Sequence, residues 1–121
     1  MSKSFDFGRE AESFAFTYFE KLGFQILAKN YYFQKAEIDL IIKKNQTVIV
    51  VEIKARRFNP LIKPELAVTL SKRKLLVKAI NQFIIENNID ADVRFDILAL
   101  EKKGSTWIIE HIVDAFNALE L

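Results

Sequence analysis

Two apolar segments, EIDLII at 37–42 and VIVV at 48–51, stand close together with only the polar KKNQT between them. Enriched in β-branched residues and bounded by a polar turn around Lys44, Asn45 and Gln46, they predict a β-hairpin, with strands over 37–43 and 47–55. Alternation places Val48, Val50, Glu52 and Lys54 on one face of the second strand, and Ile49, Val51, Ile53 and Ala55 on the other. Both faces begin apolar. A strand of that kind must be covered on both sides, which demands helices above and below a sheet.

The rest of the chain supplies those helices. From Arg9 to Leu22 the apolar positions Ala11, Phe14, Ala15, Tyr18, Phe19 and Leu22 follow helical spacing, and Gly23 ends the pattern. Glu12 falls on the border of that stripe. A strand is expected over 24–33, and Asn59, Pro60 and Pro64 mark an irregular loop. A second helix is expected over 71–87, with Leu76, Ala79, Ile80, Phe83 and Ile84 buried; Lys72 extends that inward face. Further strands are expected over 93–100 and 106–112, then a short helix after Asp114. The order is that of an α/β domain with a mixed sheet flanked by helices, and 121 residues suffice for a single domain, 1–121.

Composition narrows the function classes. The absence of cysteine removes disulfides, thiol nucleophiles and zinc–cysteine sites. The N-terminal MSKSFDFGRE lacks the apolar core of a signal peptide, and no run approaches the ~20 apolar residues of a membrane span. The expectation is a cytoplasmic protein with no membrane partner. A net charge of +2 permits a polyanionic partner without requiring one. KARR at 54–57 and KRK at 72–74 are compact basic clusters, which on their own are commonly solvated surface.

The informative conflict lies at the end of the hairpin. With the turn centred between Asn45 and Gln46, Asp39 lies opposite Glu52 and Glu37 opposite Lys54. Two carboxylates facing each other on a half-buried sheet are destabilising without a cation between them. Lys54 alone, Arg56 beside it, or a divalent metal each meets the need. Acidic oxygens, a backbone carbonyl and water form the ligand set that Mg²⁺ prefers. The spacing by itself leaves a structural ion-pair cluster and a metal site evenly balanced.

The segments GREAESFAFTYFEKLGFQILAKNYYFQKAEIDLII, VVEIKAR, AVTLSKRKLLVKAINQFI, VRFDILAL and IIEHIVDAF resemble, in order, the YraN-like uncharacterised protein family, grouped with Holliday-junction resolvase-like and restriction-endonuclease-like nucleases. The resemblance implies a restriction-endonuclease-like αβββαβ core of the PD-(D/E)xK type and a Mg²⁺- or Mn²⁺-dependent endonuclease acting on DNA, with branched or structured DNA as a target. By that likeness Asp39 and Glu52 bind metal, the Ile53 carbonyl is an added ligand, and Lys54 completes the E-x-K pair. Glu12 matches a first-helix acid that supports metal or its water. Lys72 matches a lysine opening the second helix, within reach of a phosphate. Arg56, Arg57, Arg73 and Lys74 are candidate phosphate contacts. A homodimer suits a small nuclease cutting two strands. Where the family has Gly-Glu, this chain has Ala11-Glu12 and Ala36-Glu37. The first change favours the helix, and the second adds a methyl near the proposed site.

Each assignment has a plainer counterpart. Asp39, Glu52 and Lys54 also read as an ion-pair cluster, Glu12 as a solvated helix-edge acid, and Lys72 as a lysine snorkelling along apolar surface. The four further cations read equally as a solvated rim. His111, the single histidine, is expected to be structural. Trp107, Tyr31 and Tyr32 can stack on bases but in a Phe-rich domain are more commonly core. A non-catalytic nucleic-acid-binding module and a protein-interaction domain stand as rivals to the nuclease.

Overall fold

The computed structural model describes residues 3–118, and side chains from Asp6 to Ala118. The elements run α1 (Lys3–Lys21), β1 (Gln25–Phe33), β2 (Ala36–Lys44), β3 (Thr47–Arg57), α2 (Leu70–Glu86), β4 (Asp92–Lys103) and β5 (Thr106–Phe116). They form a five-stranded mixed sheet in the order β1-β2-β3-β4-β5. Only β3 and β4 are parallel, because α2 carries the chain back between them. This is the α/β arrangement expected, consistent with a restriction-endonuclease-like core.

β3 is the central strand, apolar on both faces as the sequence requires. Val48 and Val50 pack with Ile41, Ile97 and the α2 residues Leu76, Ala79, Ile80 and Phe83. Ile49 and Val51 pack with Leu40, Ile42, Leu98 and the α1 residues Ala11, Ala15 and Phe19. Burying one such aliphatic side chain contributes about 1.5–3 kcal/mol, so these two layers dominate the stability.

The helix ends follow from local chemistry. Gly23, at φ 89°, closes α1: its N–H donates to Glu20 O at 3.0 Å and the Phe24 N–H donates to Phe19 O at 3.0 Å. That is a Schellman closure, sealed by the edge-on Phe19–Phe24 contact. Thr69 caps α2, its hydroxyl accepting from the Lys72 N–H at 3.2 Å. The cap sets the first turn of α2 and with it the direction of Lys72.

Several expectations need correction. The helix expected after Asp114 is absent as far as Phe116: β5 continues there, and Phe116 is buried in a stack on Phe95. Residues 119–121 lie outside the described chain. Strict alternation also groups Ile38 with Leu40 and Ile42, but Ile38 belongs to the α2-side layer with Ile41. The β2–β3 pairing ends at Leu40↔Val51, so Ile38 lies beyond the regularly paired stretch on which the alternation was counted. Among the described residues no helix is long and apolar enough to cross a membrane.

Candidate functional site

The β2–β3 ladder runs from Lys44↔Thr47 to Leu40↔Val51, the register expected for a turn centred between Asn45 and Gln46. Asp39 and Glu52 are the next positions on each strand, where the ladder stops. In this register Ile53 would face Ile38, yet the Ile53 N–H is taken at 2.9 Å by Oδ2 of Asp39. A side-chain carboxylate thus replaces the backbone acceptor, and the two strands part around it. N–H and C=O of one strand residue point toward the same neighbour, so the Ile53 carbonyl faces the Asp39 side.

Glu52 is 5% exposed, among the few buried charged residues of the described chain. Its Oε1 accepts from Lys72 Nζ of α2. Beside this pair Asp39 and Lys72 line a cleft of about 260 Å³, with Glu37 at its edge and Leu76 at its base. Burial, reinforced by the charge of Glu52, pushes the Asp39 carboxyl up to about 7 from its ordinary 3.8. The Ile53 N–H and the Lys72 ammonium pull the other way and only partly offset it. The arrangement is short of positive charge.

The remaining sequence candidates separate. Lys54 directs Nζ to the Ala67 carbonyl at 2.9 Å, so it ties β3 to the segment leading into α2. Glu12, half-buried on α1, accepts from Asn30 Nδ2 at 3.4 Å. Arg56 is committed to Glu101 Oε2 at 2.8 Å and to the Asn59 and Ile62 carbonyls. Arg73 donates to Val68 O at 2.8 Å and lies over the Phe116 ring. Arg57 lies over the Phe7 ring at 4.8 Å, and both Arg57 and Lys74 are exposed. The basic rim is therefore partly structural: Arg56 and Arg73 hold loops, while Arg57 and Lys74 face solvent.

As a ligand set, Asp39, Glu52 and the Ile53 carbonyl offer hard oxygen donors of the kind Mg²⁺ or Mn²⁺ takes. Among the described residues no three His, Cys, Asp or Glu side chains are already gathered as a metal site. The chemistry of the donors fits a divalent cation, with the ammonium of Lys72 resting on one of them.

Two features escaped the sequence reading. The phenol of Tyr32 is raised, first by the charge of Glu37, with Glu12 and Asp39 adding to it. This 66%-exposed residue therefore feels the charge of acids on both α1 and β2. Tyr31, by contrast, packs edge-on against Phe83 and donates to Glu86 Oε1 at 3.2 Å. The second feature is a buried pin on β4. Asp96 accepts from Arg94 Nε at 2.9 Å and the Asp114 N–H at 3.0 Å, and lies 2.7 Å from His111 Nε2. His111 is thereby structural, as expected. Asp96 on β4 and His111 on β5 stand fifteen residues apart in sequence, a spacing that gave no hint of their contact.

A family profile described as Uncharacterised protein family UPF0102 matches residues 11–100. The chain belongs to this family. A UPF0102 protein of Flavobacterium psychrophilum is 40% identical over 116 residues, covering 96% of this chain and 98% of its own. The UPF0102 protein of Parabacteroides distasonis is 42% identical over 118 residues, covering 98% of each chain. One from Chloroherpeton thalassium is 43% identical over 128 residues, covering 98% of this chain and 99% of its own. UPF0102 is the YraN-like family to which the motif order pointed. The matched stretch includes Glu12, Asp39, Glu52, Lys54 and Lys72, so both sides of the parted hairpin and the α2 lysine lie within it.

Proposed function

We propose that this UPF0102 protein is a Mg²⁺- or Mn²⁺-dependent endonuclease-like domain that hydrolyses phosphodiester bonds in DNA, with branched or structured DNA as its target. The observation that carries the reading is the Asp39–Glu52 pair: two carboxylates at the mouth of parted strands, with the Asp39 acidity displaced by burial and by its neighbour. Perturbed acids in a cleft are a recurrent mark of functional sites.

Asp39, Glu52 and the Ile53 carbonyl would hold the cation, and Glu12 would support it from α1. When bound, a divalent ion supplies Lewis acidity to a phosphoryl oxygen and to water. Asp39, fixed by the Ile53 N–H, supplies an acceptor that does not have to reorient. Lys54 would leave Ala67 O to assist the nucleophile and balance charge as it develops on the phosphorus oxygens. Lys72 would exchange its bond to Glu52 for one to a DNA phosphate. Arg57 and Lys74 are the exposed cations available to the backbone. A homodimer would let two such sites address two strands.

The test is Mn²⁺ titration followed by incubation with linear, single-stranded, flap and four-way-junction DNA, beside Asp39→Ala and Lys54→Ala. Saturable Mn²⁺ binding lost in Asp39→Ala, with cleavage lost in both variants, is the expected result. No binding at millimolar Mn²⁺, with or without DNA, counts decisively against it.

The second reading is a non-catalytic nucleic-acid-binding module. The contacts of Lys54 with Ala67 and Lys72 with Glu52 favour it, since both would-be reactive cations already have partners within the protein. Under that reading DNA binds with a steep salt dependence and is never cut.

A further inference from the structure

Immediately after β3 the chain enters the loop FNPLIKPELAVT, residues 58–69. Its tip presents Leu61 at 91% exposure and Ile62 at 59%. Leu61 is the most exposed large hydrophobic of the described chain. Single exposed aliphatics are ordinary, but two consecutive ones at a loop tip make a small apolar projection.

The projection is held in shape. Asn59 Oδ1 accepts from the Leu61 N–H at 3.0 Å and Asn59 O accepts from the Ile62 N–H at 3.3 Å. Pro60 and Pro64 limit the backbone on either side. The guanidinium of Arg56 bonds the Asn59 and Ile62 carbonyls and is anchored on β4 by Glu101. Arg56 lies four residues beyond Glu52 on the same strand, so the tip is tied to the strand that carries Glu52. Lys54 repeats the coupling farther along the loop through Ala67. Along the loop and its flanks exposed cations outnumber acids: Arg57 and Lys63 are exposed against the single acid Glu65, and Lys103 Nζ lies over Phe58 at 4.8 Å.

We infer that Leu61 and Ile62 form an apolar wedge that seats against an unstacked base step of DNA, reading an interruption of the duplex beside the candidate site. The inference rests on the DNA reading above and deepens it by naming what the protein recognises. An aliphatic tip gains nothing from a phosphate and cannot enter an intact base stack without opening it. A branch, flap or nick presents a base face already exposed. The surrounding cations meet the backbone on each side, while the apolar tip meets the base. Arg56, turned to the loop carbonyls, acts as the support that keeps the tip in position, which accounts for a basic residue whose guanidinium is bonded within the protein.

The experiment uses the full chain in EDTA, so that nothing is cut. Affinity is measured for a four-way junction, a flap and a linear duplex of equal length, with 2-aminopurine at the branch step. The double variant Leu61→Ser/Ile62→Ser, altered only at exposed positions, is compared with the parent after thermal melting establishes the same fold. The expected result is a loss of roughly tenfold or more in branched-DNA affinity, with duplex affinity unchanged and the 2-aminopurine signal abolished. Equal weakening on all DNAs, or an unchanged branch preference, overturns the wedge. Binding to none of the DNAs overturns the wedge and the DNA reading together. A selective loss in a protein that never cuts with Mn²⁺ upholds the wedge and removes only the nuclease.

Discussion

Lys72, in the first turn of α2, bonds Glu52 on β3 across the space between helix and sheet. Its ammonium rests where two neighbouring carboxylates most need positive charge. Any divalent cation entering there competes with it, so removing Lys72 is expected to separate metal affinity from activity. Lys72→Met should bind Mn²⁺ about tenfold tighter, as losing one nearby competing charge allows. Cleavage should fall, for want of the phosphate contact. Calorimetric titration with Mn²⁺ checks the first, and weaker binding in the variant would falsify the competition.

The acidity of Asp39 makes stability depend on pH. Its folded value, about 7, lies above the ordinary 3.8, so the folded chain holds the proton more tightly than the unfolded one. The stabilisation is complete below about pH 4 and lost as pH rises through about 7. Asp39→Asn removes the buried charge and should raise stability at pH 8 by on the order of 1–3 kcal/mol, a few degrees in Tm. At pH 4 the variant and parent should melt together. A Tm difference independent of pH would show that the charge is not the cause.

Asp96 behaves in the opposite sense. Burial pushes its carboxyl up, but His111, Arg94 and the Asp114 N–H together hold it below the ordinary range. Its stabilisation is therefore present above the usual carboxylate pKa and lost as pH falls toward and through its own lower value. Asp96→Ala strands Arg94 and the Asp114 N–H and should cost about 3 kcal/mol or more at neutral pH. Urea unfolding at pH 7 measures the loss directly, and a cost below about 1 kcal/mol would mean that the cluster is dispensable.

Arg56 links β3, β4 and the 59–62 turn. Replacing it with Ala frees Glu101 and two loop carbonyls at a partly buried position, a loss of about 1–3 kcal/mol. Hydrogen exchange should accelerate at Leu61 and Ile62, whose N–H groups close the turn, and stay unchanged in α1. Protection that survives in the loop would indicate that Asn59 and the prolines suffice to hold it.

Much of the fold was readable from residue pattern because the pattern is local. The two-sided apolar character of Ile38–Ile42 and Val48–Val51 dictated a covered sheet, and the hairpin turn gave the register that leads to Asp39 beside Glu52. Ala11, Ala15 and Phe19 at four-residue spacing defined the inward face of α1, and Gly23 its end. Helical spacing also put Lys72 on the side of α2 that meets the sheet, although its side chain stays 45% exposed and only the ammonium reaches Glu52. The motif order identified the family. Strand ends were misjudged where pairing in the sheet, rather than local propensity, carries the chain onward, as at Phe116.

Alternation and helical spacing are properties of the chain alone, so the two main helices, the five strands, their order and the acids on adjoining strands could be read from it. The partners of the charges were set by packing. Lys54 turned to Ala67, Lys72 to Glu52, Arg56 to Glu101 and the loop, and Glu12 to Asn30. A long side chain chooses among acceptors brought near by packing, and linear spacing carries no record of them. The same limit hid Asp96 and His111, which meet only because β4 and β5 pair.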